Sequence, residues 1–210
     1  MGKLDSNKKQ KRESLLNTAF QLFITNGIQK TTISDIVKDA GVAKGTFYLY
    51  FKDKYDIRNK LVAHKASQLF TAAIRECNKQ DTENFEDKII FVIDYIVDIL
   101  NQDKSLLKFL SKNLGWGVFK NALTSPASEE DVNVYESYLQ IIRQSGCEIV
   151  DPELMLFLIV ELVDAAIYSS ILYEEPVPIQ KLKPELYDTI RYIIRSHDKA
   201  GRKERSGIEV

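Results

Sequence analysis

Apolar residues recur at helical spacing along nearly the whole chain, and no segment alternates apolar and polar residues for the length of a strand. Nine glycines and five prolines among 210 residues punctuate it sparsely, as an all-α fold requires. A first helix is expected from about Asn7 to Thr25, with Leu15, Leu16, Ala19, Phe20 and Phe23 as its apolar stripe. "TTISDIVKDAG" reads as a short second helix. Thr32 and Asp35 have capping-box spacing, Ile33, Ile36 and Val37 face inward, and Gly41 ends it. Residues 43–51 make a third short helix, and a longer fourth runs from Asp53 to about Asn78. Further helices are expected near 84–101, 103–113, 116–123, 129–145, 152–173 and 184–197. The last two place Pro152 and Pro184 at the first helical position, where a missing N–H is harmless. "EEPVPIQKLK" reads as the longest irregular link.

Charge is divided unevenly. The net charge is −1, yet residues 1–60 carry 12 Lys and Arg against 6 Asp and Glu, a net of +6. Residues 61–210 carry 17 against 24, a net of −7. A basic N-terminal part on an acidic body points to a polyanionic partner at one end only. "GKLDSNKKQKR" reads as a disordered basic arm that adds weak, salt-sensitive contacts.

Two short helices joined by a glycine turn form a helix-turn-helix, whose second helix enters the DNA major groove. On a helical wheel, Phe47 and Phe51 share one face with Ala43 beside them, the face that packs on the second helix. Gly45, Thr46, Tyr48 and Leu49 fall opposite, flanked by Lys44 and Tyr50. Lys44 and Gly45 occupy a first turn whose free N–H groups suit phosphate. Thr46 suits a base edge or a phosphate, Leu49 a thymine methyl, and Tyr48 and Tyr50 flanking phosphates. Lys54 adds a phosphate contact, and Thr31 and Thr32 open the second helix toward the other strand. The expected DNA-binding set is therefore Thr31, Thr32, Ala43, Lys44, Gly45, Thr46, Tyr48, Leu49, Tyr50 and Lys54.

"TTISDIVKDAGVAKGTFYLYFKDKYDI" closely resembles the DNA-binding signature of the TetR family of bacterial transcriptional regulators. Ala40, Gly41, Val42, Ala43, Gly45, Phe47, Tyr48, Tyr50, Phe51, Lys52 and Lys54 fill that pattern, and Tyr55 departs from it where an acidic residue is usual. The likeness spans roughly residues 8 to 60. It implies a DNA-binding domain over residues 1–52 and an effector-binding and dimerisation domain over 53–198, with 199–210 a flexible tail. It further implies a cytoplasmic homodimer that binds palindromic operator DNA and answers an unknown small-molecule effector, most often as a repressor. A small-molecule-binding protein, or a regulator answering a protein partner, is the alternative.

In the body, Phe91, Tyr95, Phe109, Trp116, Phe119, Tyr138 and Tyr168, with Glu161 and Asp164, are the candidates for an effector pocket. Ala165, Ser169 and Leu172 on one apolar helix, and Leu186, Ile190 and Ile193 on the next, are the candidates for a dimer seam. Residues 154–173 have spanning length, but Glu161 and Asp164 lie inside the window. Each acid there costs roughly 2.5–3.5 kcal/mol on insertion, so a core helix and no membrane association is expected. No apolar leader follows the N-terminal lysines. "GVAKGT" lacks the order of a phosphate-binding loop. His64 and His197 have no ligand-spaced partners, and Cys77 and Cys147 stand alone. No enzyme activity, metal or cofactor is expected.

Overall fold

The computed structural model describes residues 3–80, 84–113, 115–124 and 133–200, with the side chains of residues 3–6 set aside. The chain divides into two compact units between Lys65 and Ala66.

The first unit holds α1 (Lys3–Asn26), α2 (Ile33–Asp39), α3 (Lys44–Tyr50) and the start of α4 (Lys54–Cys77). Its core is Leu15, Leu16 and Ala19 of α1, Ile36 of α2, Phe47 of α3, and Ile57 and Leu61 of α4, all fully buried. Ile33 is only half-buried. α1 starts at Lys3, so residues 3–12 of the stretch expected to be a disordered arm are helical, and Gly2 lies outside the described residues. Lys, Gln, Arg and Glu are good helix formers, and extending a helix is far easier than nucleating one.

The second unit continues α4 and adds α5 (Phe85–Gln102), α6 (Lys104–Asn113), α7 (Trp116–Thr124), α8 (Val134–Ser145), α9 (Pro152–Tyr173) and α10 (Ile179–His197). Four starts have side-chain caps: Asn84 accepts from the Glu86 and Asp87 amides, Asp103 from Ser105 and Leu106, Asn133 from Glu136, and Asp151 from Leu154. Pro152 sits in the first turn of α9 as expected. Pro184 does not start α10, which begins five residues earlier behind Pro178, so "EEPVPIQKLK" is irregular only as far as Pro178. Pro184 removes one hydrogen bond to the Gln180 carbonyl, and the buried stripe Ile179, Leu186, Ile190 and Ile194 holds the helix across that gap. Residues 129–132 of the expected eighth helix lie outside the described residues. So do residues 201–210 of the expected tail, while the Lys199 amide donates to the Glu148 carbonyl at 3.1 Å and Val150 to His197 at 3.0 Å.

α9 packs against α10 and α6, and α10 also packs against α5. α9 is long and apolar enough to cross a membrane, with mean hydropathy 2.0. Its inner stripe of Met155, Ile159, Ile167 and Ile171 is instead part of the core.

A ladder of charges ties α5 to α10. Lys183 bridges Asp94 at 2.6 Å and Asp98 at 2.5 Å, and the Tyr187 hydroxyl donates to Asp94. Arg191 meets Asp87 at 2.8 Å, and Arg195 meets Glu86 through two bonds of 2.8 Å. Partial burial opposes the charged form of Asp94, but the bonds from Lys183 and Tyr187 outweigh it and hold the carboxyl below its ordinary 3.8. The bonds from Arg195 hold Glu86 below its ordinary 4.5. Both carboxyls are therefore ionised more readily folded than unfolded. Their contribution is full above the ordinary carboxylate range and is lost as pH falls through the lowered values. Wild type is expected to lose melting temperature more steeply than Asp94→Asn between about pH 5 and about pH 3. Parallel melting curves would show that the ladder adds nothing.

Candidate nucleic-acid interface and effector cavity

The Thr32 hydroxyl accepts from the Asp35 amide at 3.2 Å, and the Asp35 carboxylate accepts from the Thr32 amide at 2.9 Å. The capping box read from the sequence is complete. The Thr32 hydroxyl donates to the Asp35 carboxylate at 2.7 Å, and that bond, with the one from the Thr32 amide, holds the Asp35 carboxyl below its ordinary value. α2 ends in a turn at Gly41, whose φ of +67 places it in the left-handed region that favours glycine. The Val42 amide donates back to Val37 at 3.0 Å and that of Gly41 to Lys38 at 3.2 Å, which sets the direction of α3.

In α3 the aromatics separate by face. Phe47 and Phe51 are 0% and 2% exposed with rings 5.4 Å apart, while Tyr48 and Leu49 are 53% and 79% exposed. Lys44 and Gly45 are exposed, and Thr46 and Tyr50 half-buried. Ala43 was expected beside the core face, but it is the exposed N-cap residue and makes no side-chain cap bond. An apolar leucine this exposed gains nothing from the fold. Gly45 has no positive φ, and a Cβ there would meet nothing within 4 Å. Folding gives no reason for a glycine at that site, so the open outer face of α3 is free for a partner to approach.

Two expected contact residues are used inside the unit instead. Thr31 is 1% exposed and donates to the carbonyls of Leu22 at 3.3 Å and Gly27 at 2.9 Å, so it ties α1 to the turn and is not a surface group. The Lys54 ammonium donates to the carbonyls of Ile28 and Gln29, both at 3.1 Å, and lies 3.5 Å from that of Thr31. It satisfies the turn between α1 and α2. Lys54→Met is expected to destabilise the unit by about 1 kcal/mol. The slope of log K against log salt should stay unchanged, whereas loss of a phosphate contact would flatten it by about 1. Lys60, which the sequence did not single out, donates to the Tyr50 carbonyl at 2.9 Å and to Asp56 at 3.1 Å, fixing the end of α3. Burial works against the charged Asp56, but the Lys52 amide and Lys60 outweigh it and lower its carboxyl.

The second unit contains a cavity of about 130 Å³. Of the aromatic and acidic candidates, Phe119, Tyr138 and Asp164 line it. Phe91, Tyr95, Phe109, Trp116, Glu161 and Tyr168 do not. Phe109 is buried in the core, and Trp116 stacks on Phe119 at 5.5 Å from behind the wall. Apart from the aromatic Phe70 of α4, most of the wall is aliphatic: Ala66, Leu69 and Ile74 of α4, Ile89, Val92, Ile93, Ile96 and Leu100 of α5, and Leu156, Ile159, Val160, Val163 and Ile167 of α9. The spacing along α5 was legible as an apolar stripe, but that pattern does not separate a cavity wall from a filled core. The Tyr138 hydroxyl donates to the Pro152 carbonyl at 2.8 Å, and burial pushes its pKa up. Ser111 donates to Asp164 at 2.6 Å.

Glu161 lies instead on an outward stripe of α9 with Leu154, Leu158 and Ala165, all exposed, continued by half-buried Ser169 and Leu172. Leu186 and Ile190, expected at a dimer seam, are 3% and 0% exposed within this chain's own core. Ile193 is half-buried. The amphipathic pattern of α10 faces α9 and α5 of the same chain, and that use of the stripe looks identical in sequence to use across a dimer.

Residues 15–61 match the sequence profile of bacterial regulatory proteins of the tetR family. The chain is 32% identical over 99 residues to the fatty acid metabolism regulator protein of Bacillus subtilis, covering 47% of this chain and 50% of that protein. It spans about half the length of the curated relatives it matches. A TetR-family transcriptional regulator from Streptomyces coelicolor shares the fold with TM-score 0.65 and 12% identity, over 89% of this chain and 99% of that one. The FadR regulator of Bacillus subtilis, solved in complex with stearoyl-CoA, superposes with TM-score 0.54 and 18% identity, over 85% and 96%.

Proposed function

We propose that the chain, whose residues 15–61 match the tetR family of bacterial regulatory proteins, is a member of that family and a ligand-responsive transcriptional repressor acting as a dimer on operator DNA in the cytoplasm. The carrying observation is the outer face of α3, where Lys44, Gly45, Tyr48 and Leu49 are exposed and outside the core. Lys44 and Tyr48 bind phosphates, Leu49 and Thr46 meet base edges, and Phe47 and Phe51 hold the helix from behind. One seven-residue helix offers few contacts, so specificity needs two copies on a palindrome one helical turn apart. The exposed stripe of α9 supplies the second copy's docking face.

The effector has an apolar body, in keeping with the aliphatic cavity, and the stearoyl-CoA complex of the FadR neighbour supports this reading. α4 contributes Ile57 and Leu61 to the core of the first unit and Leu69, Phe70 and Ile74 to the cavity wall of the second. A ligand that shifts α4 displaces the DNA-binding unit, and it moves the equilibrium only by its differential affinity for the two states. A gel shift on the promoter beside the protein's own gene tests the reading. A specific complex whose affinity falls steeply with salt is expected. Binding no tighter than to random DNA would leave a small-molecule-binding protein as the reading.

A further inference from the structure

The outward face of the second unit carries opposite charges on its two borders. α6 meets α9 where Ser111 donates to Asp164 at 2.6 Å. Around α6, buried Leu107 and Leu110 lie on one side of that contact, and Lys104, Lys108 and Lys112 lie on the other, stacked a turn apart. Around α9, the cavity residues Val160 and Ile167 lie on one side of Asp164, and exposed Leu158, Glu161 and Ala165 lie on the other. The lysine row and the outward stripe of α9 therefore open the same way. All three lysines are exposed, and among the described residues none of them forms an ion pair.

α10 borders α9 on the opposite flank, where fully buried Met155 lies outside the cavity lining. Glu185, Asp188 and Tyr192 occupy the solvent face of α10, away from its buried stripe. Among the described residues neither of those acids forms an ion pair, and exposed Lys181 lies a turn away toward the α9 end of the helix. The short link 174–178 makes α9 and α10 run antiparallel, and Asp164 and Asp188 are equally far from it along their helices. Asp188 therefore stands level with the Ser111 contact and the lysine row beside it. Two copies can face each other through α9 about a two-fold axis in either of two directions. With the axis across α9, α6 lies over the partner's α6, so lysines oppose lysines, and the acids of α10 oppose acids. With the axis along α9, levels are kept and the flanks exchange, so α6 lies over the partner's α10 and lysines meet acids. Like charges placed opposite each other select against the first arrangement.

We propose that α6 is part of the interface between two copies of this chain, with Lys108 and Lys112 of each copy paired to Glu185 and Asp188 of the partner subunit and the two-fold axis directed along α9. The proposal rests on the reading of the α9 stripe as the docking face of a second copy.

The test uses two full-length variants, Lys108→Glu with Lys112→Glu, and Glu185→Lys with Asp188→Lys, in sedimentation at about 50 mM salt, where surface charges are weakly screened. Each variant alone is expected to dimerise about tenfold or more weakly than wild type, because like charges then face each other on both borders. Mixed in equal amounts, they should form a heterodimer within about threefold of wild-type affinity, because acids then meet lysines on both borders again. Ion pairs within one chain would give no such rescue. The wild-type dimer should itself weaken about fivefold or more between about 50 mM and about 500 mM salt, and this series decides if either variant does not fold. Unchanged dimerisation of a variant, a mixture no tighter than its components, or a salt-insensitive wild-type dimer would each overturn the proposal. A dimer that survives these charge changes but is lost in Leu158→Lys with Ala165→Glu would overturn the pairing and keep α9 as the docking face. A wild-type chain that is monomeric at every concentration would remove both.

Discussion

Replacing Phe47 by alanine is expected to unfold the N-terminal unit, and replacing its neighbour Tyr48 is expected to leave that unit folded and weaken DNA binding. Phe47 is 0% exposed and its ring lies 5.4 Å from that of Phe51. Removing a buried phenyl costs about 3–5 kcal/mol, because the cavity left behind relaxes only in part. A unit this small has little stability beyond that. Tyr48 is 53% exposed, and its ring makes only an edge contact with Phe47 at 5.5 Å. Its loss costs about 1 kcal/mol or less of stability. In the proposed operator complex it removes a hydrogen bond to a charged phosphate in each protomer, and affinity should fall about tenfold to a hundredfold. Thermal melts by circular dichroism and a titration at fixed salt measure the two effects. If Tyr48→Ala binds as tightly as wild type, the outer face of α3 is not the DNA face. If Phe47→Ala melts like wild type, the packing described for this unit is wrong.

The second large effect concerns α9. Leu158→Lys combined with Ala165→Glu is expected to convert the proposed dimer to a monomer, because it puts charges onto exposed apolar positions of α9 that lie outside the chain's own core. Sedimentation should show the change with helical content preserved. Operator affinity should fall by roughly a hundredfold or more, since two linked recognition helices gain about 10²–10⁴ in avidity over one. Leu186→Ala is the internal contrast: that side chain is 3% exposed, so its loss should cost about 2–5 kcal/mol of stability and leave assembly unchanged. A double variant that remains dimeric would place the interface elsewhere.

The local features were legible from residue order alone, since their physics is local. The capping box of Thr32 and Asp35, the glycine turn at Gly41, and the division of Phe47 and Phe51 from Tyr48 and Leu49 all follow from spacing along one or two turns of helix. The boundaries of α5, α6, α7 and α9 were set in the same way by periodic apolar residues and their end signals. Where several partners compete for one residue, spacing does not rank them. Thr31 and Lys54 have the chemistry of DNA contacts, yet their nearest acceptors are backbone carbonyls of Leu22, Gly27, Ile28 and Gln29, brought close by the packing of α1, α2 and α4. Glu161 and Asp164 are less than one turn apart on the same helix, and only the neighbours of α9 place the first on an outer stripe and the second in the lining of a cavity. Ile190 illustrates the limit: its periodicity announces burial, and which surface does the burying is a property of three-dimensional packing that one helix's sequence does not encode.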